Sequence, residues 1–201
     1  MIDNINIIKN LLNFENPGDF YYLLILRRKK DQPEEERSNH QSVRTIKTYC
    51  IESIDYLDQR YEEIKLLCEV FKARAYIHVQ KQNHRDVSLN LMGELVERIK
   101  SNSYNQKNIF DSVVGQLKTH EKRWIVDIDT KDDEYINKLI LDLSKLKPEG
   151  DKVEHIVPTK NGYHLITKKF DMLNFSKQYH GVDVQKKNPS ILYYPNSLEK
   201  N

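Results

Sequence analysis

RWIVDIDTKDD, residues 123–133, is the stretch on which the reading of this chain turns. Trp124, Ile125, Val126 and Ile128 form a tight apolar run of the kind that makes a buried strand, yet Asp127 and Asp129 interrupt it. Side chains two apart on a strand share a face, so the two aspartates project together while Val126 and Ile128 pack on the opposite side. Two like charges held this close repel. A hard divalent cation, Mg²⁺ or Mn²⁺, is the usual remedy, because it takes carboxylate oxygens and can keep positions open for phosphate. A strand end that only turns into the N-cap of the next helix uses the same residue types, so the pair alone leaves both readings open.

Two later stretches bear on the choice. In TKNGYHLITKK, residues 159–169, a small-residue turn precedes a strand on which His164, Ile166 and Lys168 share a face. An imidazole and an ammonium pointing the same way suit a polyphosphate; a structural histidine and a solvated strand end are the alternatives. In GVDVQ, residues 181–185, Asp183 stands between Val182 and Val184 and so faces away from them. If this strand lies beside the Asp127 strand, three carboxylates converge and can hold two metal ions about 4 Å apart. Otherwise Asp183 is a solvated residue of an edge strand.

The rest of the chain sets limits. It has 201 residues, 38% hydrophobic and 31% charged, which is ordinary usage for a globular protein and enough for one domain or two closely joined modules. No apolar run approaches the roughly 20 residues of a membrane span. The opening MIDNINIIKNLL lacks the basic start and apolar block of a signal peptide, so the expectation is a cytoplasmic protein with no membrane partner. Its Lys, Asn and Ile richness suits an AT-rich genome such as that of a low-GC bacterium or a phage in its host cell. Cys50 and Cys68 belong to no paired motif, which argues against structural zinc and for buried thiols in a reducing compartment. A net charge of +2 neither demands nor excludes nucleic acid, because a basic groove can coexist with acidic patches.

Hydrophobic periodicity predicts an α+β protein. FYYLLILRR from residue 20 and RTIKTYCI from residue 44 read as strands flanking a polar, Pro-containing loop. Ile54, Leu57, Tyr61, Ile64, Cys68 and Phe71 recur at helical spacing, Ala75 to Val79 form a short strand, and a second helix is expected from Asp86 through Leu91, Met92, Leu95, Val96 and Ile99. The polar break SNSYNQKN, residues 101–108, divides the chain into an N-terminal α/β module, 1–105, and a second module, 106–201. In the second module the DID strand leads to a helix over about 132–146. Strands KVEHIVPT and GYHLITKKF follow, joined by the turn Lys160-Asn161-Gly162; DMLNFSKQY gives a short helix, and GVDVQ and SILYYP give two more strands.

Taken in order, WIVDID, TKNGYHLIT and GVDVQKKNPSILYYP resemble the three catalytic motifs of the archaeo-eukaryotic primase superfamily, especially its primase-polymerase branch. The resemblance spans about residues 120–197. It implies an RRM-like catalytic module packed against the N-terminal α/β module, with the site in the cleft between them. It further implies that Asp127, Asp129 and Asp183 bind catalytic Mg²⁺ or Mn²⁺ and that His164 contacts the triphosphate of an incoming nucleotide. Lys168 is added to the nucleotide-binding set from strand geometry alone. The activity implied is that of a metal-dependent nucleotidyltransferase, a DNA primase or polymerase that makes or extends primers on single-stranded DNA or RNA from NTPs or dNTPs.

The chain departs from that pattern in lacking a zinc segment and a helicase domain, so a separate helicase would be a partner. Gln185 also stands where related enzymes often carry a basic residue, with Lys186 and Lys187 close by. Arg27, Arg28, Lys29, Lys30 and Arg74 are candidates for template or phosphate contacts, or else belong to a solvated charge run. Two other functions use the same residues: a non-catalytic nucleic-acid-binding or replication-initiation module, and a metal-dependent nuclease or phosphodiesterase.

Overall fold

The computed structural model describes residues 1–32, 43–105, 109–116 and 122–198. It is a mixed α+β protein built on two antiparallel sheets. The first holds β1 (Ile2–Asp3), β2 (Asp19–Arg28), β3 (Val43–Ile51), β4 (Arg74–His78) and β10 (Pro189–Tyr194), in the order β1-β10-β4-β2-β3, with β5 (Gln82–Asn83) pairing the start of β2. The second holds β6 (Trp124–Ile128), β7 (Val153–Pro158), β8 (Tyr163–Thr167) and β9 (Asp183–Gln185), in the order β7-β8-β6-β9.

Alternation along β2 decides what covers the first sheet. Tyr21, Leu23 and Ile25 belong to a core with Leu57, Ile64 and Cys68 of α2 (Ile54–Phe71) and Ile8 and Leu11 of α1 (Ile5–Leu11). Phe20 and Tyr22 belong instead to a smaller core with Val87 of α3 (His84–Lys100) and Ile109, Val113 and Val114 of α4 (Ile109–Gln116). Ser53 caps α2 by accepting from the Tyr56 N–H, so the helix begins where its side chain relieves an orphan donor.

The second sheet follows the chain as β6, α5 (Asp133–Lys145), β7, β8, α6 (Met172–Gln178), β9, a β-α-β-β-α-β succession. Trp124, Val126 and Ile128 of β6 and Leu165 of β8 pack on Ile136, Leu139 and Leu143 of α5 and Phe175 of α6. Asp132 and Asp171 cap the two helices, each accepting two backbone N–H groups. The opposite face is divided. Ile125, Val157 and Ile166 join the core of the first sheet, while Asp127 and His164 border a cleft between the sheets.

Polar bridges tie the sheets together. The buried Asn4 amide donates to the Pro158 and Ile191 carbonyls, both at 3.0 Å. Arg123 pairs with Glu154 at 2.8 Å and donates to the Leu11 carbonyl at 3.3 Å. His164 and Ser190 meet at 3.0 Å.

The strands and helices expected from periodicity are present, with boundaries moved by a few residues. Three differences matter. First, β10 lies between β1 and β4 in the first sheet, and α4 packs beside α3, so a division at residue 105 does not follow the sheets; the second sheet occupies only residues 124–185. Second, α3 starts at His84 on an Asn83 cap rather than at Asp86. Third, of the apolar residues expected on one face of α3, Leu91 and Leu95 pack inward, whereas Met92, Val96 and Ile99 are exposed. Most of the polar loop after β2 lies outside the described residues, as does the end of the break at 106–108. Among the described residues no helix is long and apolar enough to cross a membrane.

Leu192 of β10 is fully buried in the first core. Leu192→Ala is expected to lower unfolding free energy by about 2–5 kcal/mol, measured by urea denaturation; a change within about 0.5 kcal/mol would show that β10 does not carry the first sheet.

Candidate active site

The cleft is built on the register of β6. Asp127 lies opposite His164 of β8 on one side and opposite Asp183 of β9 on the other. Opposed residues in an antiparallel pair point to the same face, so one row across three strands carries carboxylate, carboxylate and imidazole. Val126, opposite both Leu165 and Val184, marks the apolar row behind it. Asp127 is half-buried, while Asp129, just past the end of β6, and Asp183 are exposed. The two carboxylates of the first motif and the one on β9 are thus held by adjacent backbone, and the pairing of β9 with β6 is observed.

Hydrogen bonds organise this row. Gln185, two residues beyond Asp183 on β9, donates its amide to Asp183 at 2.8 Å and to Asp127 at 3.4 Å, so a neutral donor sits between the two acids. His164 Nε2 lies 3.5 Å from Asp127 Oδ1, and its Nδ1 lies 3.0 Å from the hydroxyl of the fully buried Ser190. A carboxylate beside Nε2 favours the tautomer with its proton there, which leaves Nδ1 to accept from Ser190.

Burial is the first cause of both pKa shifts in the row. It raises the Asp127 carboxyl, repulsion from Asp129 and Asp183 raises it further, and Arg28 opposes the rise. Burial also pushes His164 down to about 4, assisted by Arg28 and opposed by Asp129. At neutral pH His164 is therefore a neutral hydrogen-bonding group beside Asp127 and not the cationic half of an ion pair.

Facing the acids is a wall of cations and rings. A cleft of about 480 Å³ is lined on one side by Asp127, Asp129, His164 and Gln185 and on the other by Arg28, Arg74, Tyr76 and Tyr194, with Lys160 and Asn161 from the β7–β8 turn. The Arg28 guanidinium lies 5.1 Å from the centre of the Tyr76 ring, and Arg74 and Lys160 lie 4.7 and 5.5 Å from that of Tyr194. Arg74 also forms a buried ion pair with Asp31.

The turn that delivers His164 is pressed against the DID strand. A side chain at Gly162 would put its Cβ 1.9 Å from the Ile128 carbonyl oxygen and within 3 Å of the Thr130 backbone. Only glycine allows that approach. Its N–H donates to the Thr159 hydroxyl at 3.1 Å, and its carbonyl accepts from the Thr159 N–H at 2.8 Å, closing the turn.

Four of the five residues singled out in the sequence, Asp127, Asp129, Asp183 and His164, come together at or beside the cleft. Lys168 does not. β8 ends at Thr167, and Lys168 lies exposed beyond the end of the strand farther from the turn, away from the cleft lining. Strand alternation gave Lys168 the same face as His164, but the strand stops before that alternation reaches it. Lys160, read in the sequence only as part of a turn, supplies a cleft ammonium instead. Ser190 and Gln185 are the other positioning residues, and Ser190 carries no sequence signal because its role depends on β10 joining the first sheet.

As they stand, no three Asp, Glu, His or Cys groups among the described residues meet closely enough to hold an ion together. The donor set is nonetheless hard oxygen, and Asp127 keeps an acid-raising repulsion from both neighbouring carboxylates that a neutral amide relieves only in part. Hard oxygen donors of this kind are the ones Mg²⁺ and Mn²⁺ take. Compared with known protein families, curated proteins and solved structures, the chain finds no match.

Two predictions follow from this geometry. Gly162→Ala is expected to cost about 1–3 kcal/mol of stability by overpacking, read by urea denaturation; a neutral effect would show that the turn does not bear on β6. His164 and His78, the latter also pushed down to about 4 by burial, bind protons less well folded than unfolded. Their contribution is complete above the ordinary histidine value of about 6.5 and is lost as pH falls from there toward 4, at about 1.4 kcal/mol per pH unit for each group at most. Unfolding free energy measured between pH 6.5 and 5 should fall less steeply in His78→Asn than in the unaltered chain.

Proposed function

We propose that the chain is a metal-dependent nucleotidyltransferase of the primase-polymerase type, making or extending primers on a single-stranded nucleic-acid template. The observation that carries the reading is the row Asp183, Asp127, His164 across β9, β6 and β8, facing Arg28 over a cleft. Such a site offers metal-ligating oxygens and phosphate donors on opposite walls. The β-α-β-β-α-β succession and the β7-β8-β6-β9 order support the RRM-like catalytic module expected from the sequence resemblance, and the first sheet would be its N-terminal companion.

Asp127, Asp129 and Asp183 would hold Mg²⁺ or Mn²⁺, which would supply charge neutralisation at the transferring phosphoryl group and a lower pKa for the attacking hydroxyl. The chain's own groups do the rest. His164, kept neutral by burial and oriented by Ser190, presents Nε2–H to a phosphate oxygen without needing a proton from solvent. Arg28 sets a permanent charge near the same point, so a triphosphate would meet a fixed donor and a fixed cation without reorganising the site. Gln185 keeps the Asp127 and Asp183 carboxylates apart and aimed alike. A single-stranded template and NTPs or dNTPs are the substrates of this reading, and a helicase is the partner that duplex DNA would call for.

The test is incorporation of labelled nucleotides by the purified chain on single-stranded DNA and RNA templates, with and without primer, in Mg²⁺ or Mn²⁺. Metal-dependent synthesis is expected, and Asp127→Ala should reduce it to about a thousandth or less while leaving the circular dichroism spectrum unchanged. Absence of incorporation on every template would overturn the reading, as would cleavage of the template in its place.

A further inference from the structure

Helix α3 carries two apolar stripes, and the first sheet uses only one of them. Val87, Leu91 and Leu95 face the core shared with α4. Leu89, Met92, Val96 and Ile99 point elsewhere, each between 48% and 57% exposed. Their spacing of three, four and three residues is that of a helix-pairing seam, about 80° wide, and set beside the inward face of Val87, Leu91 and Leu95. A run of four large apolar side chains on one surface line is more than scattered exposure explains.

We propose that this seam pairs with the same seam of a second copy of the chain, the two α3 helices running antiparallel about a two-fold axis midway between Met92 and Val96. In that arrangement Leu89 layers on the partner's Ile99 and Met92 on the partner's Val96. The occupant is chosen by charge and shape. Asp86, Gly93 and Lys100 lie along one border of the seam, one heptad apart. Antiparallel pairing sets this border against the same border of the partner and so places Asp86 beside the partner's Lys100 at both ends, whereas parallel pairing would set it against the opposite border, where Ser88 and Leu95 offer no charge. Gly93 falls beside the two-fold axis, and nothing lies within 4 Å of where its Cβ would be, so two backbones can approach there. Opposed helix dipoles favour the same direction.

A seam of four side chains per copy belongs to the small end of specific interfaces, at most about 1,000 Å² in total. The dimer should therefore depend on concentration. The interface lies on α3, outside the residues lining the cleft, and its existence does not rest on the proposed activity.

Sedimentation equilibrium of the full chain from about 1 to 200 µM tests the proposal. A rise from monomer toward dimer mass is expected. Met92→Glu/Val96→Glu, which alters only exposed positions, should remain monomeric throughout with an unchanged melting temperature. Asp86→Lys should weaken the dimer about 3- to 10-fold, and Asp86→Lys/Lys100→Asp should restore it. A chain that stays monomeric at every concentration overturns self-pairing and leaves the seam to a different partner. Dimerisation that survives Met92→Glu/Val96→Glu overturns the seam, and a charge swap that fails to restore what Asp86→Lys removed overturns the antiparallel register.

Discussion

The register that sets Asp127 between His164 and Asp183 is the constraint on which the site depends. A shift of one residue in either pairing would turn one of those side chains to the opposite face and bury it among Val126, Leu165 and Phe175. The apolar row behind the polar one prevents that shift: Val126 is paired with Leu165 and Val184, and all three need the α5–α6 side. Hydrophobic burial thus enforces a polar geometry that would repel itself if left alone. The same logic explains why the acids appear inside an apolar run at all.

The cleft requires both sheets, and the His164–Ser190 contact joins them at the site itself. Ser190 belongs to β10, whose neighbours in the first sheet are β1 and β4. The imidazole is therefore oriented from one sheet and carried by the other. Arg28, at the end of β2, enters the electrostatics of both Asp127 and His164 across the same gap. The acids on β6 and β9 and the arginines on β2 and β4 are thus products of separate sheets, and Arg74 is paired with Asp31 on its own side.

Much of this was legible in the chain. Two-residue alternation in WIVDID and GVDVQ gave the faces of Asp127 and Asp183, and the Lys160-Asn161-Gly162 turn gave the hairpin that delivers His164. Helix caps at Ser53, Asp132 and Asp171 follow the side-chain chemistry of their residues. What the sequence did not carry is long-range. That β10 crosses to the first sheet depends on pairing with β1 and β4, more than a hundred residues away, and no local period reports it. The two-residue β1 and β5, and the short helices α1 and α4, are also set by tertiary contact and are too brief for a periodic signature. On α3, apolar residues on two sides of the helix merge into one list when read along the chain, and only burial separates the inward stripe from the outward one. Lys168 shows the complementary error, since alternation was continued past a strand that ends one residue earlier.

The placement of β10 also has a meaning for biosynthesis. β1 precedes the other described strands and, among the described residues, pairs with β10, which follows them all, so the first sheet contains a seat that stays open until β10 has been made. Until that strand arrives, the edges of β1 and β4 are bare and Ser190 is not there to turn His164. Closure must therefore be late and non-local, which favours slow folding. The nascent chain would carry its acids and its histidine on a finished second sheet while the cleft they border was still missing a wall, an order of assembly in which the latest of the described strands completes the cleft.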